Sequence, residues 1–170
     1  MKKIYAVSAC LCGDNCKYNG GNNYCEEVMD FLKDKEYVKV CPERDTFAPR
    51  EMAEVQPDGR VVTISGRDVT GAFRAGAERE FEKLAKLREE GFEIAGYILK
   101  ANSPSCGVGH IYDGTFSHTV VDADGVFASM VHCAGGAQIL NEKDFKAGRG
   151  FDNTDAQEGS ESTLLKQRRD

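Results

Sequence analysis

Cys10, Cys41 and Cys106 each stand where a strand-like run gives way to a loop. The segments read Ser8-Ala9-Cys10-Leu11, Val40-Cys41-Pro42-Glu43 and Ser103-Pro104-Ser105-Cys106-Gly107. In an α/β protein the carboxyl ends of the strands share one edge of the sheet, and ligands bind there. Three cysteines distant in sequence can therefore converge on one point. Converging thiolates suit a soft metal or an iron–sulfur cluster better than a disulfide staple. Spacing alone leaves this open, because no compact ferredoxin-type cysteine run is present. Zinc is the competing reading. His110 follows Cys106 by four residues, and zinc accepts three cysteines and a histidine. Close cysteine pairs, usual in structural zinc sites, occur only among Cys10, Cys12 and Cys16.

Glu43 lies two residues beyond Cys41, behind the stiff Pro42. A carboxylate beside a metal can act as general base on water; the plainer reading is a solvated surface acid. The Ser103–Gly107 loop is polar and turn-prone, and its hydroxyls and N–H groups can donate to a heteroatom, with Lys100 adding a positive charge. No Walker or Gly-x-Gly-x-x-Gly pattern accompanies it. Cys25 and Cys133 read as packing or surface residues, and His118 and His132 as surface or core.

These residues need elements to hold them. Residues 3–9 and 37–41 read as strands, and 92–99 as the third main strand. Residues 60–65 form one arm of a hairpin turning at Pro57-Asp58-Gly59. Helices are expected over residues 24–35, capped by Asn22 or Asn23, over 69–90, capped by Asp68, and over 126–133. Residues 137–140 can form a last strand. The alternation favours a single α/β domain with a largely parallel sheet flanked by helices, a Rossmann-like three-layer arrangement over residues 1–148. From 149 to 170 the chain turns polar and is expected to be a disordered tail.

With 170 residues and a hydrophobic fraction of 41%, the chain can bury a real core. A formal charge of −6 argues against a nucleic-acid polymer as partner. No apolar run reaches membrane-span length, and no signal peptide is evident. The chain therefore reads as cytoplasmic, where seven cysteines, an odd number, are expected to be buried residues, metal ligands or reactive thiols rather than disulfides.

Several motifs occur together and in order: Ser8-Ala9-Cys10-Leu11-Cys12-Gly13, Cys16-Lys17-Tyr18-Asn19-Gly20-Gly21, Val40-Cys41-Pro42-Glu43, Pro49-Arg50 and Asp68-Val69-Thr70. Phe73-Arg74-Ala75-Gly76-Ala77, Leu99-Lys100, Ser103-Pro104-Ser105-Cys106-Gly107, Ile111-Tyr112-Asp113-Gly114-Thr115-Phe116 and Gly125-Val126 follow. Over about residues 3–142 the chain resembles the bacterial family called domain of unknown function 523, related to the thiouracil desulfidases. The resemblance implies a 4Fe-4S cluster on three cysteines, matched to Cys10, Cys41 and Cys106, with Cys16 as a fourth ligand or a guarding thiol. It implies catalytic roles for Glu43 and for Ser103, with Ser105 as the other serine that fits. The implied substrate is a small thiolated heterocycle such as 2-thiouracil, desulfurated without redox change to release hydrosulfide. The alternative is a non-catalytic metal or thiol-redox module in which Cys16 closes a four-cysteine site. The chain departs from the family pattern at Arg44-Asp45-Thr46-Phe47-Ala48, which lacks the usual Gly-Gly, and at Lys17-Tyr18-Asn19 in place of Arg-Tyr-Asp.

Overall fold

The computed structural model describes residues 1–152. Its centre is a four-stranded parallel sheet in the order β2-β1-β5-β8, from β1 (Lys2–Ser8), β2 (Tyr37–Val40), β5 (Phe92–Ile98) and β8 (Ile139–Leu140). β1 is central, and its last five residues are buried on both faces, as its near-continuous apolar run requires. Two short antiparallel hairpins stand beyond the sheet. One pairs β3 (Ala53–Val55) with β4 (Val61–Thr63); the other pairs β6 (Ile111–Tyr112) with β7 (Val120–Val121). The first turns where Pro57-Asp58-Gly59 predicts, with Gly59 at φ 91°.

Helices cover both faces. α1 (Glu26–Leu32) and α4 (Glu142–Lys146) lie on one face, over Tyr5, Val7 and Ile98. α2 (Thr70–Glu89) and α3 (Val126–Ala134) lie on the other, over Ile4, Ala6, Ile94 and Tyr97. The protein is thus a three-layer α/β domain. In α2, Phe73, Gly76, Ala77, Glu80 and Leu84 form the buried stripe at helical spacing.

Local differences from the sequence reading have local causes. Neither Asn22 nor Asn23 caps α1. Cys25 occupies the N-cap position, Asn22 accepts from the Tyr24 N–H at 2.9 Å, and Asn23 turns toward Cys10. Asp68 does grip the start of α2, accepting from Thr70 N at 2.9 Å, although Val69 is the boundary residue. α4 was not anticipated; an Asn141–Asp144 capping box nucleates it. The stretch expected as tail begins at 149. Phe151 within it packs its ring against Tyr5 and Phe31, over Gly96, where a Cβ would stand 2.5 Å from the ring. Residues 153–170 lie outside the described residues. Among those described, no helix is long and apolar enough to cross a membrane.

Candidate active site

Because β1, β2 and β5 run parallel, their carboxyl ends emerge along one edge. Cys10 lies in the short 3-10 turn Ala9–Cys12 directly after β1, Cys41 follows β2, and Cys106 lies in the loop after β5. All three line one cavity of about 340 Å³, joined by Cys16, Glu43, Lys100, Ser103 and Ser105. The edge lies where β1 has β2 on one side and β5 on the other, the switch point at which such sheets bind ligands.

Two helices pin the cysteine loops. Gly76 of α2 touches the Cys-Pro-Glu turn so closely that a Cβ there would lie 1.8 Å from the Pro42 carbonyl oxygen. Next to it, Arg79 donates to the Cys41 carbonyl at 2.8 Å, and buried Glu80 accepts from the Cys41 N–H at 3.4 Å. On the other loop, Gly125 abuts Pro104 and Ser105, where a Cβ would fall 2.7 Å from the Ser105 carbonyl carbon. The first N–H groups of α3 donate into the loop: Val126 N to Pro104 O and Ala128 N to Ser105 O, both at 2.9 Å. The orphan donors of α3 and the loop carbonyls satisfy each other.

Glu43 reaches the cavity wall. Its Oε2 accepts from the Ser105 hydroxyl at 2.8 Å and its Oε1 from Arg50 Nη2 at 3.3 Å. Burial pushes its carboxyl up from the ordinary range, while Ser105 and Arg50 pull it back toward the ionised form. The Ser103 hydroxyl oxygen accepts from the N–H groups of Ser105 (3.1 Å) and Cys106 (3.0 Å), and stands 3.1 Å from Ser105 Oγ. Each hydroxyl has one proton and two lone pairs. Ser105 spends its proton on Glu43, and Ser103 spends both lone pairs on the backbone. The direction therefore runs Ser103 to Ser105 to Glu43, and the Ser103 proton is the one free to turn to a ligand. Lys100 is held by buried Glu142 at 3.0 Å and lies close enough to Cys10 to favour its thiolate.

The thiols are not equivalent. Burial raises Cys10 and Cys106 above an ordinary thiol. Cys16 and Cys41 interact electrostatically. That interaction, with help from Arg44, pulls Cys16 down to about 7 and pushes Cys41 up. Cys12 is raised by burial to about 11 and packs on the α1 side, away from the cavity. Cys25 is buried in the same cluster, and Cys133 is exposed. His110 pairs with Asp122 at 3.3 Å and His132 with Asp124 at 2.9 Å, so neither joins the cysteines. His118, read from sequence as surface or core, is exposed but lines the cavity. Sequence reasoning also missed Asn23, Arg50, Gly76 and Gly125 as parts of the site. Gly76 and Gly125 stood in the recurring motifs, but no local signal says what a glycine approaches.

The donor set fits an iron–sulfur cluster. Three sulfurs face one cavity, and two have a hydrogen-bonding neighbour. Asn23 Nδ2 donates to Cys10 at 3.3 Å, and Ser105 Oγ stands 3.9 Å from Cys106 Sγ. Such contacts orient ligand sulfurs and tune a cluster. Thiols raised by burial become good ligands once a metal replaces their protons. Among the described residues no three His, Cys, Asp or Glu side chains close around a single ion. A cluster asks less of them, since each cysteine meets its own iron.

The chain is similar to known proteins in sequence and in fold. Residues 5–144 match the family model described as 2-thiouracil desulfurase. The chain is 38% identical over 149 residues to the uncharacterized protein YbbK of Bacillus subtilis (strain 168), covering 81% of this chain and 95% of that relative. A solved structure titled 4Fe-4S-dependent thiouracil desulfidase TudS superposes with a TM-score of 0.71 at 33% identity, covering 86% of this chain and 95% of that one.

Proposed function

The chain belongs to the 2-thiouracil desulfurase family, and from that premise we propose that it hydrolyses the carbon–sulfur bond of a thiolated pyrimidine such as 2-thiouracil. Water replaces sulfur at the ring carbon, uracil forms, and sulfur leaves as hydrosulfide with no net redox change. Cys10, Cys41 and Cys106 would hold a 4Fe-4S cluster, which when bound supplies a soft Lewis acid for the thiocarbonyl sulfur.

The remaining work falls to side chains of this chain. Glu43, ionised, takes a proton from the attacking water. Its two oxygens are fixed by Ser105 and Arg50, so the base cannot swing away from the ring. Ser103 turns its hydroxyl proton from Ser105 to a ring heteroatom as negative charge builds there. Glu43, now protonated, returns its proton to the leaving sulfur or to the ring nitrogen. Lys100, anchored on Glu142, keeps a positive charge beside Cys10. Seven free cysteines suit a reducing cytoplasm.

The observation that carries this reading is Glu43, clamped between Ser105 and Arg50 on the wall of the cavity where the three cysteines meet. The test is anaerobic loading with iron and sulfide, followed by 2-thiouracil, with uracil and hydrosulfide both quantified. Equimolar release supports the proposal; a fully loaded protein that releases neither refutes it. One observation favours the alternative of a closed, non-catalytic site, namely that Cys16 lines the same cavity as the other three cysteines. A desulfidase retains its cluster in Cys16→Ala, whereas a four-cysteine site loses metal.

A further inference from the structure

The cavity that holds the cysteines is also lined by Asn102, Tyr112 and His118. Of the four non-glycine positions with left-handed backbone among the described residues, Asn102 (φ 62°) and His118 (φ 63°) line the cavity, and Phe116 (φ 59°) lies two residues before His118. Such conformations cost energy and persist where the surroundings hold them. The restraint here is identifiable. Glu54 of β3 is buried, and its Oε1 accepts from Gly114 N and Phe116 N, both at 3.0 Å. Gln56 donates to Gly114 O at 3.1 Å. Asn102 bridges to Ile111, at the start of β6. One hairpin and one buried carboxylate thus hold the whole wall.

The held groups have complementary chemistry. Tyr112 and His118 meet edge to face, with centroids 5.6 Å apart at 83°, which fixes the two rings against each other. Asn102 borders Ser103, and among the described residues its side-chain amide has no hydrogen-bond partner. An amide offers one donor and one acceptor side by side. A pyrimidine's carbonyl and adjacent ring N–H offer the complement.

We infer that Asn102 reads the carbonyl/N–H edge of the pyrimidine while the Tyr112–His118 pair packs against its ring, so that this wall selects the substrate. The inference rests on the desulfidase reading and names the residues that would give it specificity. It assigns ring recognition to Asn102, Tyr112 and His118 and chemistry to the cysteines and Glu43, so recognition and chemistry separate by residue.

The experiment measures uracil affinity of the cluster-loaded protein by calorimetry, and KM and kcat for 2-thiouracil. Asn102→Gly suits the left-handed backbone and removes the amide; Asn102→Asp keeps the shape and removes the donor. Thermal midpoints establish that both fold. Each variant is expected to weaken uracil binding and raise KM by about tenfold to a hundredfold, the usual effect of an unmet buried hydrogen bond. Tyr112→Leu and His118→Gly should each cost about tenfold, the scale of one lost stacking contact. In all four the change falls on KM and uracil affinity more than on kcat. Unchanged uracil affinity and KM in both Asn102 variants would overturn the inference, as would a wild-type protein that binds no uracil. If uracil binds through Asn102 but 2-thiouracil is not turned over, the wall stands and the desulfidase reading fails. If 2-thiouracil is turned over with KM indifferent to the wall, the reverse holds.

Discussion

Replacing Gly76 with alanine tests whether α2 positions the Cys-Pro-Glu turn. A Cβ at this position would lie 1.8 Å from the Pro42 carbonyl oxygen, 2.9 Å from its carbon and 2.8 Å from Thr46 Cγ2. Real Cβ contacts stay above 3.0 Å, so helix and turn must part by at least about 1.2 Å along the line to that oxygen. The two Pro42 atoms are backbone and cannot rotate away. Overpacking of this kind costs about 1–3 kcal/mol. The alanine itself favours the helix by about 1 kcal/mol over glycine, so the net loss is about 0–2 kcal/mol. Gly71 in the same helix supplies the control, since a Cβ there meets nothing within 4 Å. Gly71→Ala should gain about 0.5–1 kcal/mol by propensity alone. The difference between the two variants isolates the clash. The functional effect should exceed the thermodynamic one, because Cys41 and Glu43 flank Pro42. A shift of about 1 Å at reacting groups commonly costs about a hundredfold in rate. The assay is urea unfolding of both variants, iron and sulfide content per chain, and hydrosulfide release at equal protein. The reasoning is refuted if Gly76→Ala matches Gly71→Ala in stability and retains full iron and wild-type rate.

Three further outcomes are expected. Glu43→Gln should retain its iron while the rate falls by about 10²–10⁴, the usual worth of a general base; Ser105→Ala, which strips one donor from that carboxylate, should lose about tenfold by the same readout. Substituting Cys10, Cys41 or Cys106 by alanine should abolish stable iron loading, whereas Cys12→Ala should load normally, because Cys12 does not line the cavity; iron analysis after anaerobic desalting distinguishes them. Phe151→Ala should lower stability by about 2 kcal/mol through loss of its ring contacts with Tyr5, Phe31 and Phe145, with activity per folded molecule unchanged; thermal unfolding checks it.

Much of the fold is legible in the chain because its signals are local. The apolar run before Cys10, the long amphipathic stripe from Phe73 to Leu84 and the Pro57-Asp58-Gly59 turn each declare an element through the period or chemistry of adjacent residues. α4 has a weak sequence signal because it is short and carries Asp144, not Glu or Gln, at the third helical position of its capping box. Phe151 was read with its polar neighbours; its place over Gly96 depends on a strand more than fifty residues earlier.

The site divides in the same way. Cys10, Cys41 and Cys106 follow strands, and parallel strands end on one edge, so their convergence follows from topology that the sequence pattern already implies. Tertiary structure alone decides that Ser105 rather than Ser103 touches Glu43, that Asn23 serves Cys10 instead of capping a helix, and that Asn102 and His118 face the same cavity. It alone shows why Gly76 and Gly125 must lack side chains. Periodicity is carried by neighbours along the chain and can be read from them. Close approach and hydrogen-bond partnership join atoms whose residues lie tens of positions apart, and they exist only once the layers have packed.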